Sequence, residues 1–214
     1  MAPVAGRPFV EWVLRYLLKQ GIRQVVLSTG YRAEVVENHF EQEPIPGMAI
    51  SFAVEKEPLG TGGGFLCSAG SAQFTPRIWL VLNGDSLVFA DLAATLSPLS
   101  DESISGVIVG RAVPDASRFG TLITDSAGEL VKFDEKRPGK GVINSGIYAL
   151  RHSLLLDFPV RFPLSFEKDV FPELIRLGRR LRVVQTDAPF LDIGTPETLP
   201  QAEQFIRENC QYFA

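Results

Sequence analysis

Five consecutive apolar residues, Ile78-Trp79-Leu80-Val81-Leu82, run directly into Asn83-Gly84-Asp85. An uninterrupted apolar run bounded by turn residues reads as a strand buried on both faces, the position of a central strand in a parallel or mixed sheet. The segments before it fit that reading. Phe9, Trp12, Val13, Tyr16 and Leu17 recur at helical spacing, with Pro8 ahead of them and Gly21 behind. Gln24 to Ser28 is an apolar stretch, Val35, Val36 and Phe40 mark a second helix, and Ile50 to Val54 alternates like a strand. Gly60 to Gly64 reads as a glycine-rich turn. This alternation predicts an α/β fold: a mixed, mostly parallel sheet with helices on both faces.

The rhythm changes after residue 105. Gly106 to Gly110 and Val142 to Leu150 read as strands, and Asp125-Ser126-Ala127-Gly128 supplies turn chemistry between two short strands. A helix is expected from Phe166 to Leu177, a strand at Leu181 to Gln185, and a last helix opening at Thr195-Pro196-Glu197. No linker or repeat interrupts the 214 residues, so one domain is expected, with residues 105–214 building a pocket over residues 1–104.

Composition excludes several classes. With 45% hydrophobic and 21% charged residues, the chain is neither disordered nor fibrous. The net charge of −4 and the lack of a basic cluster argue against a nucleic acid polymer as partner. Small phosphorylated ligands stay open. Cys67 and Cys210 are too few for a disulfide framework. No apolar run nears the ~18 residues of a membrane span, and no signal peptide is evident, so no membrane partner and a cytoplasmic location are expected.

Several segments carry chemistry, each with a plainer alternative. Gly60-Thr61-Gly62-Gly63-Gly64 lets backbone approach a ligand, and amides at a helix start favour phosphate; a flexible loop is the alternative. Asp85, just past the end of a buried strand, lies at the edge where open α/β sheets bind ligands. A carboxylate there suits Mg²⁺, and a tight-turn Asp is the alternative. Asp192 precedes a helix-like segment, where Asp also serves as a cap. Asp85 and Asp192 together could hold one metal between two phosphates. Asp134-Glu135-Lys136 combines groups for sugar hydroxyls and phosphate, against a solvated hairpin end. Asn144-Ser145-Gly146 places polar groups within an apolar strand, where a sugar or neighbouring backbone must pair with them. His39 and His152 have no sequence neighbours at metal spacing and read as structural.

Taken in order, these segments resemble the sugar-phosphate nucleotidyltransferases. The matching pieces are Met1 to Pro8, Glu57-Pro58-Leu59-Gly60-Thr61-Gly62-Gly63, Asn83-Gly84-Asp85, Phe119-Gly120-Thr121, Phe133-Asp134-Glu135-Lys136, Asn144-Ser145-Gly146, Ser165-Phe166-Glu167-Lys168-Asp169 and Asp192-Ile193-Gly194-Thr195-Pro196-Glu197. Within that family the last two look most like the bacterial guanylyltransferases acting on D-glycero-α-D-manno-heptose 1-phosphate. The resemblance implies a Rossmann-like fold. It also implies Mg²⁺-dependent transfer from a nucleoside triphosphate, GTP favoured, to a heptose or hexose 1-phosphate, releasing pyrophosphate. Asp85 and Asp192 match the metal-holding aspartates. Leu59, Gly60, Thr61, Asn83 and Gly84 match the nucleotide site, and Glu55 falls at a base-reading position. Gly120, Glu135, Lys136, Asn144, Gly146 and Lys168 match the sugar-phosphate pocket. Self-association into a homo-oligomer stays open.

One departure accompanies the match. The family opens with a strand, a Gly-x-Gly-Thr-Arg loop and a Pro-Lys pair ahead of the segment matched by Met1, and none of these is in the sequence. The sheet is therefore expected to lack its first strand and to expose apolar edges. The alternative expectation is a non-catalytic nucleotide-sugar binding or regulatory module, or an inactive fragment.

Overall fold

The computed structural model describes residues 1–134 and 138–213. Glu135 and Lys136 of the expected sugar-phosphate pocket lie outside the described residues. The chain opens with a two-stranded ribbon, β1 (Pro3–Val4) and β2 (Arg7–Pro8), then α1 (Phe9–Lys19), β3 (Gln24–Thr29), α2 (Ala33–Gln42) and β4 (Ala49–Val54). Next come α3 (Gly60–Ser71), β5 (Ile78–Leu82), β6 (Ser86–Val88), α4 (Leu92–Leu96) and β7 (Ile104–Val113). The remainder comprises β8 (Thr121–Thr124), β9 (Leu130–Asp134), β10 (Gly141–Arg151), α5 (Phe171–Arg176), β11 (Arg180–Gln185), β12 (Phe190–Asp192) and α6 (Ala202–Glu208).

β10 is the axis of the larger sheet. It pairs antiparallel with β7 along one edge, while β5 and β8 share the other edge end to end. β11 adds to β7 in parallel and β9 closes the hairpin with β8. Strands paired on both edges are the most buried: Val107, Ile108 and Val109 on β7, and Ile143, Ala149 and Leu150 on β10, are 0% exposed. β3 and β4 form a separate parallel pair, and β6 pairs antiparallel with β12. The mixed α/β class holds.

Side chains alternate across β5, as a strand requires. Leu80 and Leu82 pack with Val13, Leu14 and Leu17 of α1 on one face, and Trp79 and Val81 pack with Phe65 of α3 and Phe166 on the other. Helices thus cover both faces. Among the described residues, no helix is long and apolar enough to cross a membrane.

Four local expectations are corrected. The glycines at 60–64 form no free-standing turn; they are the first residues of the helix α3. Their lack of side chains is what lets that helix pack, because a Cβ on Gly62 would fall 3.0 Å from the Val170 side chain and one on Gly63 2.9 Å from that of Leu59. The helix expected over 166–177 begins as a π-turn at Phe166–Val170 before α5. The last helix starts at Ala202, not Thr195, so Asp192 ends a strand and caps no helix. Finally, only Trp79 of the apolar run is buried; Ile78, Leu80, Val81 and Leu82 stay partly exposed. Among the described residues, β5 has a ladder partner on one edge alone.

Candidate functional site

The two aspartates singled out from the sequence arrive together from different strands. Asp85 sits in the turn between β5 and β6, and Asp192 ends β12 opposite Ser86 of β6. The Ser86 hydroxyl donates to both carboxylates, at 3.3 Å to Asp85 Oδ1 and 3.4 Å to Asp192 Oδ2. The Gly194 amide donates to Asp192 Oδ1 at 2.7 Å. A Cβ on Gly194 would lie 3.0 Å from Asp192 Oδ1 and 3.5 Å from Asp85 Oδ2, so both carboxylates border one small space that a side chain would fill.

The electrostatics of this space favour a cation. Although Asp85 keeps one side open to solvent, partial desolvation first, and the neighbouring Asp192 charge second, push its carboxyl above the ordinary range. Among the described residues neither aspartate is in an ion pair with Lys or Arg. Two close, unneutralised carboxylates offering hard oxygen ligands fit a divalent ion such as Mg²⁺.

Two cavities flank the pair. Asp85, Gly84 and Asn83 line one of about 1030 Å³, together with Glu55, Gly60 and Thr61. Asp192 lines the other, of about 390 Å³, with Arg118, Phe119 and Thr195.

The glycine-rich segment is more occupied than its sequence suggests. The amides of Gly62 and Gly63 donate to Leu164 O at 2.8 and 3.1 Å, so these two are not free for phosphate. Gly60 has φ +77°, and a Cβ there would sit 2.6 Å from Leu164 O. Glycine is required at this close approach. Glu55 braces the start of α3: it accepts from Ser28 Oγ at 2.6 Å and, through its other oxygen, from the Leu59 amide at 3.0 Å.

Asn144 and Gly146 come to the same place as Asn83. Gly146 lies in an irregularity of β10, its carbonyl accepts from the Asn83 amide, and a Cβ there would be 2.8 Å from Asn83 Nδ2. The buried Ser145 hydroxyl donates to Val109 O at 2.7 Å, so backbone answers its polarity. Gly120 accepts from the Asn144 amide, and Phe133 leaves no room for a side chain on it. Lys168 is exposed on the π-turn.

Glu167, beside Lys168, is the residue the sequence reading passed over. It accepts from Ser165 Oγ at 2.8 Å, Tyr148 Oη at 3.2 Å, Thr61 Oγ1 at 3.4 Å and Asn144 Nδ2 at 3.5 Å. It therefore ties Thr61, expected on the nucleotide side, to Asn144, expected on the sugar side. Burial and then the Glu167 charge push the Tyr148 hydroxyl far up, so it stays a donor. The available signal was its place inside the matched Ser-Phe-Glu-Lys-Asp segment.

His39 does gain acidic neighbours through the fold, with Nε2 3.0 Å from Glu11 Oε2 and Glu43 close by. Arg7 and Arg15 already neutralise Glu11, at 2.5 and 2.8 Å, so this cluster is an ion-pair brace.

Residues 1–209 match the protein-family model described as "Nucleotidyl transferase". The chain is 35% identical over 198 residues to a D-glycero-alpha-D-manno-heptose 1-phosphate guanylyltransferase of Campylobacter jejuni, covering 92% of this chain and 85% of that protein. A protein of the same name from Aneurinibacillus thermoaerophilus is 32% identical, with 97% and 88% covered. Among solved structures, HddC from Yersinia pseudotuberculosis complexed with GMP-PN superposes with a TM-score of 0.83 at 30% identity, over 95% of this chain and 88% of that one.

Proposed function

The chain belongs to the nucleotidyl transferase family, and we propose that it joins a nucleoside triphosphate, GTP preferred, to a heptose or hexose 1-phosphate in a Mg²⁺-dependent reaction. A phosphate oxygen of the sugar 1-phosphate attacks the α-phosphorus, the bond to the β-phosphate breaks, and pyrophosphate leaves with the electron pair. The attacking phosphate is already ionised at neutral pH, so no strong base is needed. A bound Mg²⁺ would supply charge neutralisation between the two phosphates. The observation that carries the reading is the convergence of Asp85 and Asp192 beside Gly194, between two cavities.

The chain's own residues position the reactants. Residues 1–104 supply the nucleotide side: Leu59, Gly60, Thr61, Asn83 and Gly84 cradle the nucleoside. Glu55, held by Ser28 and Leu59, turns its remaining lone pairs to guanine N1–H and N2–H₂. Residues 105–214 supply the acceptor side through Gly120, Asn144, Gly146 and Lys168, with Glu135 and Lys136 on the same segment as Asp134. The guanylyltransferase relatives support GTP and a heptose phosphate. The alignment of two anions, more than any covalent step, accounts for the rate.

Pyrophosphate release from GTP with D-glycero-α-D-manno-heptose 1-phosphate or mannose 1-phosphate, with and without Mg²⁺, tests this. Mg²⁺-dependent release is expected. Calorimetric binding of a GDP-sugar without turnover by any nucleotide and sugar phosphate would instead assign the chain the non-catalytic binding role.

A further inference from the structure

Arg118 stands immediately before Phe119-Gly120, in the segment between β7 and β8. The main chain on both sides of it is fixed. Ala116 is 1% exposed, and its carbonyl accepts from the Phe119 amide at 3.0 Å. Asp115 Oδ1 accepts from the amides of Ser117 and Gly139, at 3.1 and 3.2 Å. The Phe119 ring meets Phe190 edge to face, with 6.2 Å between centroids, and Phe190 begins β12, the strand that ends in Asp192. One ring contact thus ties the residue after Arg118 to the strand that carries Asp192.

The guanidinium itself is little committed. Arg161, Arg179 and Arg180 pair with carboxylates, and Arg111 and Arg151 donate to main-chain carbonyls. Among the described residues Arg118 does neither; its Nη2 donates to the Thr195 hydroxyl at 3.2 Å. Glu197 feels the Arg118 charge, yet its carboxyl is held low first by the Thr195 hydroxyl and then by its own amide, with Arg118 adding less. Most of the guanidinium N–H groups are therefore available to a ligand.

The cavity of about 390 Å³ has Arg118 on one wall and Asp192 on another, with Phe119, Phe190 and Leu191 between them. Its volume falls in the range of small-molecule pockets, and its apolar surface suits the carbon face of a sugar. A guanidinium matches two phosphate oxygens at once. We propose that Arg118 binds the phosphate of the sugar 1-phosphate, an assignment that rests on the reaction given above. Glu55, Gly60 and Thr61 line the other cavity, with Asp85, so Arg118 acts on the acceptor and not on the triphosphate. By taking two phosphate oxygens it leaves the third to attack the α-phosphorus, and it neutralises one of the two anions that must approach.

Calorimetry tests this without turnover, titrating D-glycero-α-D-manno-heptose 1-phosphate in the presence of a GTP analogue that resists cleavage at the α-phosphorus. Arg118→Ala should weaken sugar-phosphate binding about tenfold and leave analogue binding and Tm unchanged, since Arg118 is exposed. Arg118→Lys keeps the charge without the planar fork and should recover part of the loss. In the pyrophosphate-release assay, Arg118→Ala should raise KM for the sugar phosphate about tenfold and leave KM for GTP unchanged. Arg176→Ala, which removes an exposed positive charge on α5, should alter none of these readings. Unweakened sugar-phosphate binding in Arg118→Ala, or a loss that falls on GTP, would overturn the assignment and leave the reaction standing. Neither sugar-phosphate binding nor pyrophosphate release by the wild type would remove the reaction itself, and this assignment with it.

Discussion

The region built on β7, β10 and β11 and the region built on β3 and α1 are held together by different means. In the first, β7 and β10 have partners on both edges and an aromatic cluster, Phe166, Phe171 and Tyr148, seals one face. In the second, β3 has one strand partner among the described residues, and the helix over it is fixed by a buried glutamate, Glu11, bridged to Arg7, Arg15 and His39. The lesson is that apolar sequence sets how buried a strand can become, and the pairing of its edges sets how buried it is. The candidate site lies near the seam, with Glu55 at the end of β4, which pairs with β3, and Asn144, Gly146 and Glu167 on the tighter side.

The largest effect that would break this contrast is on stability. Leu150→Ala, in a fully buried strand position, should cost about 2–5 kcal/mol in urea unfolding. Leu27→Ala, on partly exposed β3, should cost about 1 kcal/mol or less. Equal costs would mean the two regions are packed alike.

Glu11→Gln comes next, at about 2 kcal/mol near neutral pH, because it weakens charge-assisted hydrogen bonds to two arginines. Burial raises the Glu11 carboxyl, but hydrogen bonds from His39, Arg15 and Arg7 outweigh it and leave the net shift downward. A lowered carboxyl contributes stability above its unfolded value, about pH 4.3, and loses it as pH falls through the folded value. The difference between wild type and variant should therefore shrink in acid. A difference that grows on acidification would reverse the assignment.

Glu167→Gln addresses the seam. An amide cannot accept from Ser165, Tyr148, Thr61 and Asn144 together, so GDP-sugar affinity should fall about tenfold, ~1.4 kcal/mol. Glu173→Gln, partly exposed and paired with the exposed Arg176 on α5, is the control and should change nothing measurable. Unchanged affinity in Glu167→Gln would return that residue to a purely structural role.

Much of the architecture was legible because its signals are local. The apolar spacing of α1, the Asp125–Gly128 hairpin and the strands at β7, β10 and β11 all appear near where the sequence places them. The pairing of Asp85 with Asp192 was legible only as a possibility, from two carboxylates each following an apolar stretch and from the resemblance, since 106 positions separate Ser86 from Asp192. Other features were hidden because distant partners decide them. Gly60 to Gly64 read as a turn by propensity, yet Leu164, Val170, Phe162 and Glu55 press against a helix that only glycine can form there. Ile78 to Leu82 read as buried, and the unpaired edge leaves it partly exposed. Glu167 looked like one charge in a charged segment until Tyr148 and Asn144 folded onto it. The structure also supplied His39 with partners that its neighbours in sequence do not reveal.

The central claim is that Asp85 and Asp192 act as one divalent-cation site. Mn²⁺ can stand in for Mg²⁺ and be counted by electron paramagnetic resonance in the presence of a GDP-sugar. The account expects one bound ion per wild-type chain, lost in both Asp85→Asn and Asp192→Asn while the fold is retained by circular dichroism. Undiminished Mn²⁺ binding in either variant would contradict it.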